Sequence, residues 1–209
     1  MEAYTTVAQQ AQDEFIERKS RFIGTIRPVR TEEEAVAFIS EMREKYRDAT
    51  HNVYAYSLRE GQMKRFSDDG EPSGTAGKPV LEVILKENLV DVAVVVTRYF
   101  GGILLGAGGL LRAYTQGAKC AVDAAEVLHM CPAVRFSLSV DYGFYGKLTY
   151  ILPKYGIVTE SSDFGAEISM VFRIRSELLP AFAKELRDLS CGAYAPEIME
   201  EFCTHFDPL

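Results

Sequence analysis

The run that most constrains the fold of this chain is "DVAVVVTRYF", residues 91–100, which "GGILLGAGGLLRAY" follows directly. Residues 92–96 are all apolar and mostly β-branched, which predicts a strand that is covered on both faces and therefore central in its sheet. The segment after it holds five glycines, which are Gly101, Gly102, Gly106, Gly108 and Gly109. A helical pattern then follows. We therefore predict a buried strand, a glycine-rich turn and a helix in that order.

The composition narrows the class of protein. The chain has 209 residues, 47% hydrophobic and 25% charged, which is ordinary for a globular protein of one large or two small domains. No apolar run reaches the roughly 20 residues that a membrane helix needs, and the first residues do not form a secretory signal. We expect a cytoplasmic protein that does not bind membranes. The net charge of −7 excludes a protein that is basic throughout, although it allows a local basic patch.

The cysteines and histidines predict neither a disulfide nor a metal site. The four cysteines, Cys120, Cys131, Cys191 and Cys203, contain no C-x-x-C pair. Such spacing in a chain without a secretory signal favours reduced thiols. The three histidines lack the H-E-x-x-H spacing of a zinc helix. We expect no bound metal and no cofactor.

Periodicity predicts three helices in the first part of the chain. Thr31, followed three residues later by Glu34, is a capping box that begins a helix with an apolar stripe. "HNVYAYSLRE" alternates like a strand, and a short return strand follows it. A second helix is predicted over 78–89, with Pro79 in its first turn. The third is the helix after the glycines, for which we predict an apolar face that includes Leu111.

The pattern begins again near Pro132. The remaining segments read as β-α-β-β-α-β, which is the order of the ferredoxin-like fold. We therefore predict an α+β protein of two domains, with residues 1–132 in the first and residues 133–209 in the second.

The glycines do not fit either common nucleotide loop. A Walker A loop needs Lys and Ser or Thr after its second glycine, but Ala107 follows Gly106. A dinucleotide fingerprint needs G-x-G-x-x-G, and Leu111 occupies the third glycine position after Gly106 and Gly108. The sequence argues against both sites.

A simpler anion site is compatible with the glycines. If Gly108 and Gly109 open the third helix, Arg112 lies in its first turn, and Lys78 lies in the first turn of the preceding helix. Cations at these electropositive ends are unfavourable unless an anion lies among them. Arg98, at the end of the central strand, points to the same place. Each cation taken alone is more simply an exposed side chain, and the three together favour an anion-binding face.

Carboxylates are concentrated in "FSDDGEPSGTAGK", which contains Asp68, Asp69 and Glu71. Paired carboxylates can bind Mg²⁺ or act as acid and base. More often such a segment is a turn whose polar groups cap a helix, and we favour the turn. His51 could act as a general base, but no nucleophile with suitable spacing accompanies it.

Four segments resemble the signature blocks of the IMPACT/YigZ family. They are "ERKSRFIG" (17–24), "DATHNVYAY" (48–56), "RFSDDGEPSGTAGKPVLEV" (65–83) and "VVVTRYFGGILLGAGGLLRAY" (94–114). The resemblance covers residues 15–125. Residues 134–209 resemble the ferredoxin-like C-terminal domain of bacterial members, mainly in the order of elements.

The resemblance carries expectations about fold and function. It implies a first domain like domain 2 of ribosomal protein S5, with three helices on a mixed sheet, and a tail like a C-terminal domain of elongation factor G. Both likenesses point to RNA or the ribosome. Eukaryotic members act on the translational stress response by competing with a kinase for its activator, and they use an additional N-terminal RWD domain. This chain has no room for that domain, so we do not carry over that partner, and no catalytic activity comes with the bacterial members.

Two functional hypotheses follow. The first is a nucleic-acid-binding or ribosome-associated protein related to translation regulation, with Tyr99 or Phe100 as a stacking surface. Its predicted contacts are Lys78, Arg98, Tyr99, Gly101, Gly102, Gly106, Gly108, Gly109 and Arg112. The alternative is a small metal-dependent hydrolase or phosphotransferase that uses His51, Asp68 and Asp69. The sequence makes no prediction about oligomeric state.

Overall fold

The computed structural model describes residues 1–206, which form two sheets and five α-helices. The strands are β1 (Tyr4–Val7), β2 (Ala11–Glu17), β3 (Ser20–Pro28), β4 (His51–Ser57), β5 (Lys64–Ser67), β6 (Val92–Tyr99), β7 (Val127–Val140), β8 (Val158–Phe164), β9 (Ile168–Arg175) and β10 (Glu197–His205). The helices are α1 (Glu32–Lys45), α2 (Gly77–Lys86), α3 (Ala107–Asp123), α4 (Tyr142–Ile151) and α5 (Leu179–Leu189). Within residues 1–206, no helix is both long enough and apolar enough to cross a membrane.

Backbone contacts divide the chain into two compact units. The first comprises Tyr4–Leu128, and the second begins at His129 and includes Met1–Ala3. The boundary predicted after residue 132 falls inside β7, a few residues beyond this division. The exact limits of the two domains therefore stay a prediction.

The sheet of the first unit has the strand order β2-β3-β6-β4-β5. Residues 92–96 of β6 are completely buried, which confirms the central strand predicted from the valine run. Each neighbouring pair in this sheet is antiparallel. The expectation of a mixed sheet is therefore wrong, because β3 and β4, the two neighbours of β6, are both antiparallel to it.

Helices cover both faces of this sheet, which explains why β6 is apolar at successive positions. Ala93 and Val95 pack into one cluster with the buried stripe of α1. Val94 and Val96 pack on the opposite face into a second cluster with α2 and α3. Because alternate side chains of a strand point to opposite faces, β6 has no face left for solvent.

The predicted cap of α1 is present with one change of partner. Thr31 Oγ1 accepts the Glu34 N–H at 3.2 Å, as a capping box requires. The Glu34 carboxylate accepts the N–H of Arg30 at 2.7 Å, one residue before the expected partner. The capping box therefore fixes the start of α1 and also holds the residue in front of it.

The third helix begins at Ala107, one residue before Gly108, which we predicted to open it. Gly106 is its N-cap with a φ of 71°, a conformation that residues with a β carbon rarely adopt. The buried stripe of α3 accordingly includes Leu110 and Tyr114. Leu111, which we placed on that stripe, is 46% exposed, so that assignment is wrong. Arg112 and Lys119 of this helix are exposed to solvent.

Close backbone contact fixes α3 against β3. A β carbon on Gly24 would lie 2.0 Å from the carbonyl oxygen of Gly117. A β carbon on Gly117 would lie 2.7 Å from Cγ1 of Val96. The two glycines therefore allow the helix to approach the sheet closely, and this packing positions the N-terminal end of α3.

The second unit confirms the β-α-β-β-α-β order, with β7, α4, β8, β9, α5 and β10 in sequence. Its strands pair antiparallel in the order β8-β9-β7-β10, which is the ferredoxin-like arrangement. Phe136, Phe172 and Phe182 stack together in its core with both helices packed around them.

We predict that Gly24→Ala destabilises the protein by about 1–3 kcal/mol, because the new methyl group would collide with helix backbone that cannot rotate away. Urea unfolding of the full chain measures the change. Gly146→Ala is the matched control, since Gly146 is exposed inside α4 and has no atom near the position of a β carbon. This control should stabilise the chain by about 0.5–1 kcal/mol. Equal stability of Gly24→Ala and wild type would contradict the close packing of α3.

Candidate functional site

Arg98, which we expected to be an exposed phosphate contact, is buried. The residue is only 5% exposed, at the end of β6 between His51 of β4 and Phe22 of β3. Its Nη1 donates to Oε1 of Glu71 at 2.6 Å. Its Nε is buried and has no hydrogen-bond partner. The assignment of Arg98 to the exposed surface is therefore corrected, because an internal carboxylate binds its guanidinium group.

Glu71, in the loop before α2, contacts β4, β6 and α3 through one carboxylate. The residue is 8% exposed, and its Oε1 also accepts the hydroxyl of Tyr114 on α3 at 2.7 Å. Nε2 of His51 lies 3.7 Å from the same oxygen. A buried carboxylate needs such partners, because losing water around a charge is costly. We call His51, Glu71, Arg98 and Tyr114 the buried tetrad.

The sequence does not predict two members of the buried tetrad as site residues. Glu71 is predicted only as one of the turn carboxylates, and Tyr114 is not among the predicted contacts. Burial, followed by the charge of Glu71, raises the pKa of Tyr114 far above its usual range. The hydroxyl therefore stays protonated and donates to Glu71. A tyrosine within an apolar stripe is the available signal, because a buried hydroxyl usually has a partner.

The orientation of His51 is fixed by the backbone. Its Nδ1 lies 2.7 Å from the carbonyl oxygen of Asp69. A carbonyl oxygen can only accept, so Nδ1 carries a hydrogen. Nε2 is consequently the ring nitrogen that faces Glu71.

Asp68 caps the start of α2. Its Oδ1 accepts the N–H groups of Ala76 at 3.1 Å and Gly77 at 2.8 Å, and its Oδ2 accepts that of Gly74 at 2.9 Å. Burial raises the pKa of Asp68, but the three donors outweigh it and lower the pKa below the ordinary 3.8. The carboxylate therefore has a structural role.

Asp69 is also fully engaged. Its Oδ2 accepts the N–H of Asn52 and its Oδ1 accepts Nη2 of Arg43, both at 2.6 Å. Asp68 and Asp69 thus hold the loop between β5 and α2, as a turn with capping groups predicts. Within residues 1–206, no three His, Cys, Asp or Glu side chains form a group that could hold a metal ion.

Lys78 is exposed in the first turn of α2, as predicted, and lies 3.9 Å from Glu82. We expected an external anion at this helix end. The anion is instead the carboxylate of Asp68, which comes from the preceding loop. The electropositive end of α2 is therefore already occupied within the chain.

The start of α3 differs from that of α2. Gly106 provides no capping side chain, and the first turn contains no acidic residue. The first hydrogen bond within the helix joins Leu110 N–H to Gly106 at 2.9 Å, so the N–H groups of Ala107, Gly108 and Gly109 have no carbonyl within the helix. We call these three groups the α3 amides. A β carbon on Gly108 would meet no atom within 4 Å, so a ligand can approach them.

Exposed cations flank the α3 amides on one side. Arg112 lies in the second turn of α3 and not in the first, because the helix begins earlier than predicted. It shares a shallow cavity of ≈ 260 Å³ with Arg18 and Glu17. Arg18, in the turn between β2 and β3, was part of a quoted family segment but was not among the predicted contacts.

Of the two other predicted glycines in this loop, Gly101 has a steric role. A β carbon on Gly101 would lie 2.0 Å from the carbonyl oxygen of Lys19, so this position holds the turn against the β2–β3 hairpin. Gly102 lies on the exposed surface of the same loop. Gly101 therefore serves packing, while the open backbone near a ligand is that of Gly108.

The two aromatic candidates differ in accessibility. Tyr99 donates its hydroxyl to Asp48 at 2.8 Å, and burial together with this bond raises the pKa of Tyr99. Phe100 is 45% exposed, and the guanidinium carbon of Arg98 lies 5.4 Å from its ring centre. Phe100 is therefore the better stacking surface.

A second cavity, of ≈ 400 Å³, lies between the start of α3 and the end of β6. Its polar lining includes His51, Glu71 and Arg98 of the buried tetrad. Its apolar lining includes Phe100, Leu104, Leu105 and Leu110, and Gly106 and Ala107 also line it. We call it the α3 cavity. The site thus joins a helix end, a buried cation and an apolar wall.

Comparison with known proteins gives the class of both domains. Residues 18–122 match the family described as the Impact N-terminal domain, and residues 138–193 match a family described as a domain of unknown function (DUF1949). The fold and the matched regions thus define a two-domain protein of the Impact N-terminal type.

The chain belongs to the IMPACT family. It is 36% identical to "IMPACT family member YvyE" of Bacillus subtilis (strain 168) over 92% of this chain and 89% of that protein. It is 32% identical to "IMPACT family member YigZ" of Escherichia coli (strain K12) over 88% and 92%. A solved structure, "Crystal structure of an hypothetical protein", is 30% identical, covers 96% of this chain and 98% of that one, and has a TM-score of 0.61.

A more distant similarity covers a smaller part of the chain. The chain is 37% identical to "Protein IMPACT" of Oryctolagus cuniculus over 43% of this chain and 30% of that protein. The eukaryotic protein therefore shares less than half of this chain.

We predict that Asp68→Asn lowers the free energy of unfolding by about 1–3 kcal/mol at neutral pH, because three N–H donors lose a charged acceptor. The pKa of Asp68 is lowered on folding, so its stabilisation is present above pH 3.8 and is lost as pH falls through the folded pKa. Urea unfolding at several pH values should show wild type and variant converging in acid. Asp163→Asn, at an exposed strand position, is the control and should match wild type. A constant difference down to acid pH would contradict the role of the Asp68 charge.

Proposed function

We propose that this protein is a cytoplasmic nucleic-acid-binding or ribosome-associated protein related to translation regulation, and that it binds the phosphates of single-stranded RNA at the start of α3. The observation that carries the proposal is the contrast between two helix ends. Asp68 fills the end of α2, whereas nothing within the first turn of α3 neutralises the α3 amides. Such an end is a ready site for a phosphate group.

Local charge supports a phosphate contact. Arg112 and Arg18 both line the cavity beside Gly109, with one opposing carboxylate from Glu17. In a chain of net charge −7, long-range attraction to RNA is weak, so affinity has to come from such a local patch. Lys78, exposed at the start of the neighbouring helix, enters the proposal as a further cation.

The exposed ring of Phe100 favours single-stranded RNA over duplex RNA as the ligand. Its exposed ring lies at the edge of the α3 cavity, and the guanidinium group of Arg98 packs against the ring. An unstacked base can cover an aromatic ring, and such stacking contributes about 1–3 kcal/mol for each base. Bases within a duplex are not available for this contact.

The family adds support of a more general kind. The resemblance to this family implies eukaryotic members that act on the translational stress response, and domains like parts of ribosomal protein S5 and of elongation factor G. These likenesses suggest an RNA or ribosomal partner for the first unit. The alternative, a metal-dependent hydrolase or phosphotransferase with His51, Asp68 and Asp69, has less support because backbone donors bind both carboxylates.

Fluorescence anisotropy with a labelled oligouridylate tests the proposal across a series of salt concentrations. Wild-type protein should bind at low salt and weaken as salt rises. Arg112→Ala should flatten the slope of log K against log salt by about 0.7, which corresponds to about fivefold weaker binding near 0.1 M salt. Gly108→Ala should also weaken binding, because the added methyl group lies over the α3 amides.

Controls separate binding from folding. Arg187→Ala removes an exposed arginine from α5 of the second unit and should leave both affinity and salt slope unchanged. Thermal unfolding should show that all three variants keep wild-type stability or gain slightly. If the wild-type protein binds neither RNA nor ribosomes at low salt, or if Arg112→Ala and Gly108→Ala bind like wild type, the proposed function is wrong.

A further inference from the structure

The α3 cavity has the dimensions of a site for one small molecule. Its volume of ≈ 400 Å³ lies near the lower end of the range of about 300–1,000 Å³ that is usual for ligand pockets. A strand of RNA passing over the surface would leave most of this space unused. The cavity therefore points to a single nucleotide unit inserted into it.

The lining of the cavity has two chemically different parts. Phe100, Leu104, Leu105 and Leu110 form an apolar wall that suits a flat base. Gly106 and Ala107 bring the start of α3 to the same space, where N–H groups favour an anion. A ligand that satisfies both parts has an aromatic ring and a phosphate group.

A second observation, independent of the helix end, also indicates an anion. Arg98 lines the cavity, and its Nε is buried without a hydrogen-bond partner. Leaving a buried donor of a charged group unpaired is costly, and such groups are rare in folded proteins. Oε1 of Glu71 engages only Nη1 of the same guanidinium group. The arginine therefore retains hydrogen-bonding capacity for a further acceptor.

The charge of the site favours a phosphate monoester over a diester. The start of α3 and Arg98 offer several positive or hydrogen-donating groups, and Glu71 offsets one charge. A monoester carries about −1.5 to −2 charges near pH 7, whereas an internal phosphate of RNA carries one. The extra charge strengthens each of these contacts.

We infer that the α3 cavity binds a nucleotide with a terminal phosphate monoester, either the phosphorylated end of a single strand or a free mononucleotide. This inference rests on the proposed function and specifies which part of the RNA the site recognises. The base packs against Phe100, and the phosphate lies among the α3 amides and Arg98.

Anisotropy with otherwise identical oligonucleotides tests the inference on the full chain. Three strands are compared, which carry a 5′-phosphate, a 3′-phosphate or hydroxyls at both ends. The fluorescent label is attached to an end that carries no phosphate. One phosphorylated end should bind at least about tenfold more tightly than the hydroxyl strand. Nucleoside monophosphate should compete, whereas the nucleoside or inorganic phosphate alone should compete poorly.

Ala107→Glu probes the site without disturbing the core. Ala107 is exposed at the first position of α3, where a carboxylate stabilises the helix and repels a second anion. The variant should keep its thermal midpoint and lose the preference for the phosphorylated end. Ala166→Glu, the same change in an exposed turn of the second unit, should keep the preference.

The possible failures are distinguishable. Equal affinity for phosphorylated and hydroxyl strands overturns the inference and leaves the proposed function intact. Binding of mononucleotide without binding of any RNA overturns the proposed function and supports the site for a free nucleotide. An unchanged preference in Ala107→Glu, or failure to bind any of these ligands, overturns the inference.

Discussion

The buried ion pair between Arg98 and Glu71 is the interaction on which the rest of the site depends. Both groups are almost completely buried, so each requires the other, and removing one partner of such a pair typically costs about 3–5 kcal/mol. The pair joins the central strand to the loop before α2, and Tyr114 extends it to α3. The pair therefore holds the loop that carries Asp68 beside α3, whose N-terminal end has no side-chain cap.

This arrangement gives two neighbouring helices different roles. The chain supplies its own anion to α2, so that end contributes to stability. It supplies none to α3, where Gly106 allows the turn and Gly108 keeps the backbone accessible. Arg112, in the second turn of α3, lines the cavity beside Gly109, where it can contact an anion bound at this end. Members of the IMPACT family share this first unit, so the same contrast can be sought in their structures.

Local patterns predicted the parts of the fold that local physics determines. The valine run located β6, Thr31 located the start of α1, and the order of elements identified the ferredoxin-like unit. The site was predicted less well because its members are far apart in the sequence. Arg98 and Glu71 are separated by 27 residues, and Tyr114 and Glu71 by 43 residues. Charged residues are usually exposed, so the sequence favoured a surface position for Arg98. Only the tertiary structure shows that a carboxylate is buried beside it.

Phosphate binding at the open end of α3 can be followed residue by residue in the backbone amide NMR spectrum of the full chain, recorded during titration with phosphorylated single-stranded RNA. We expect saturable shifts for the Gly108 and Gly109 amides, which have no carbonyl partner within the helix. We expect little change for the Gly77 amide, whose hydrogen bond to Asp68 is already formed at 2.8 Å. Shifts that are absent at Gly108 and Gly109, or that are equal at Gly77, would contradict the claim that the open end of α3 binds phosphate.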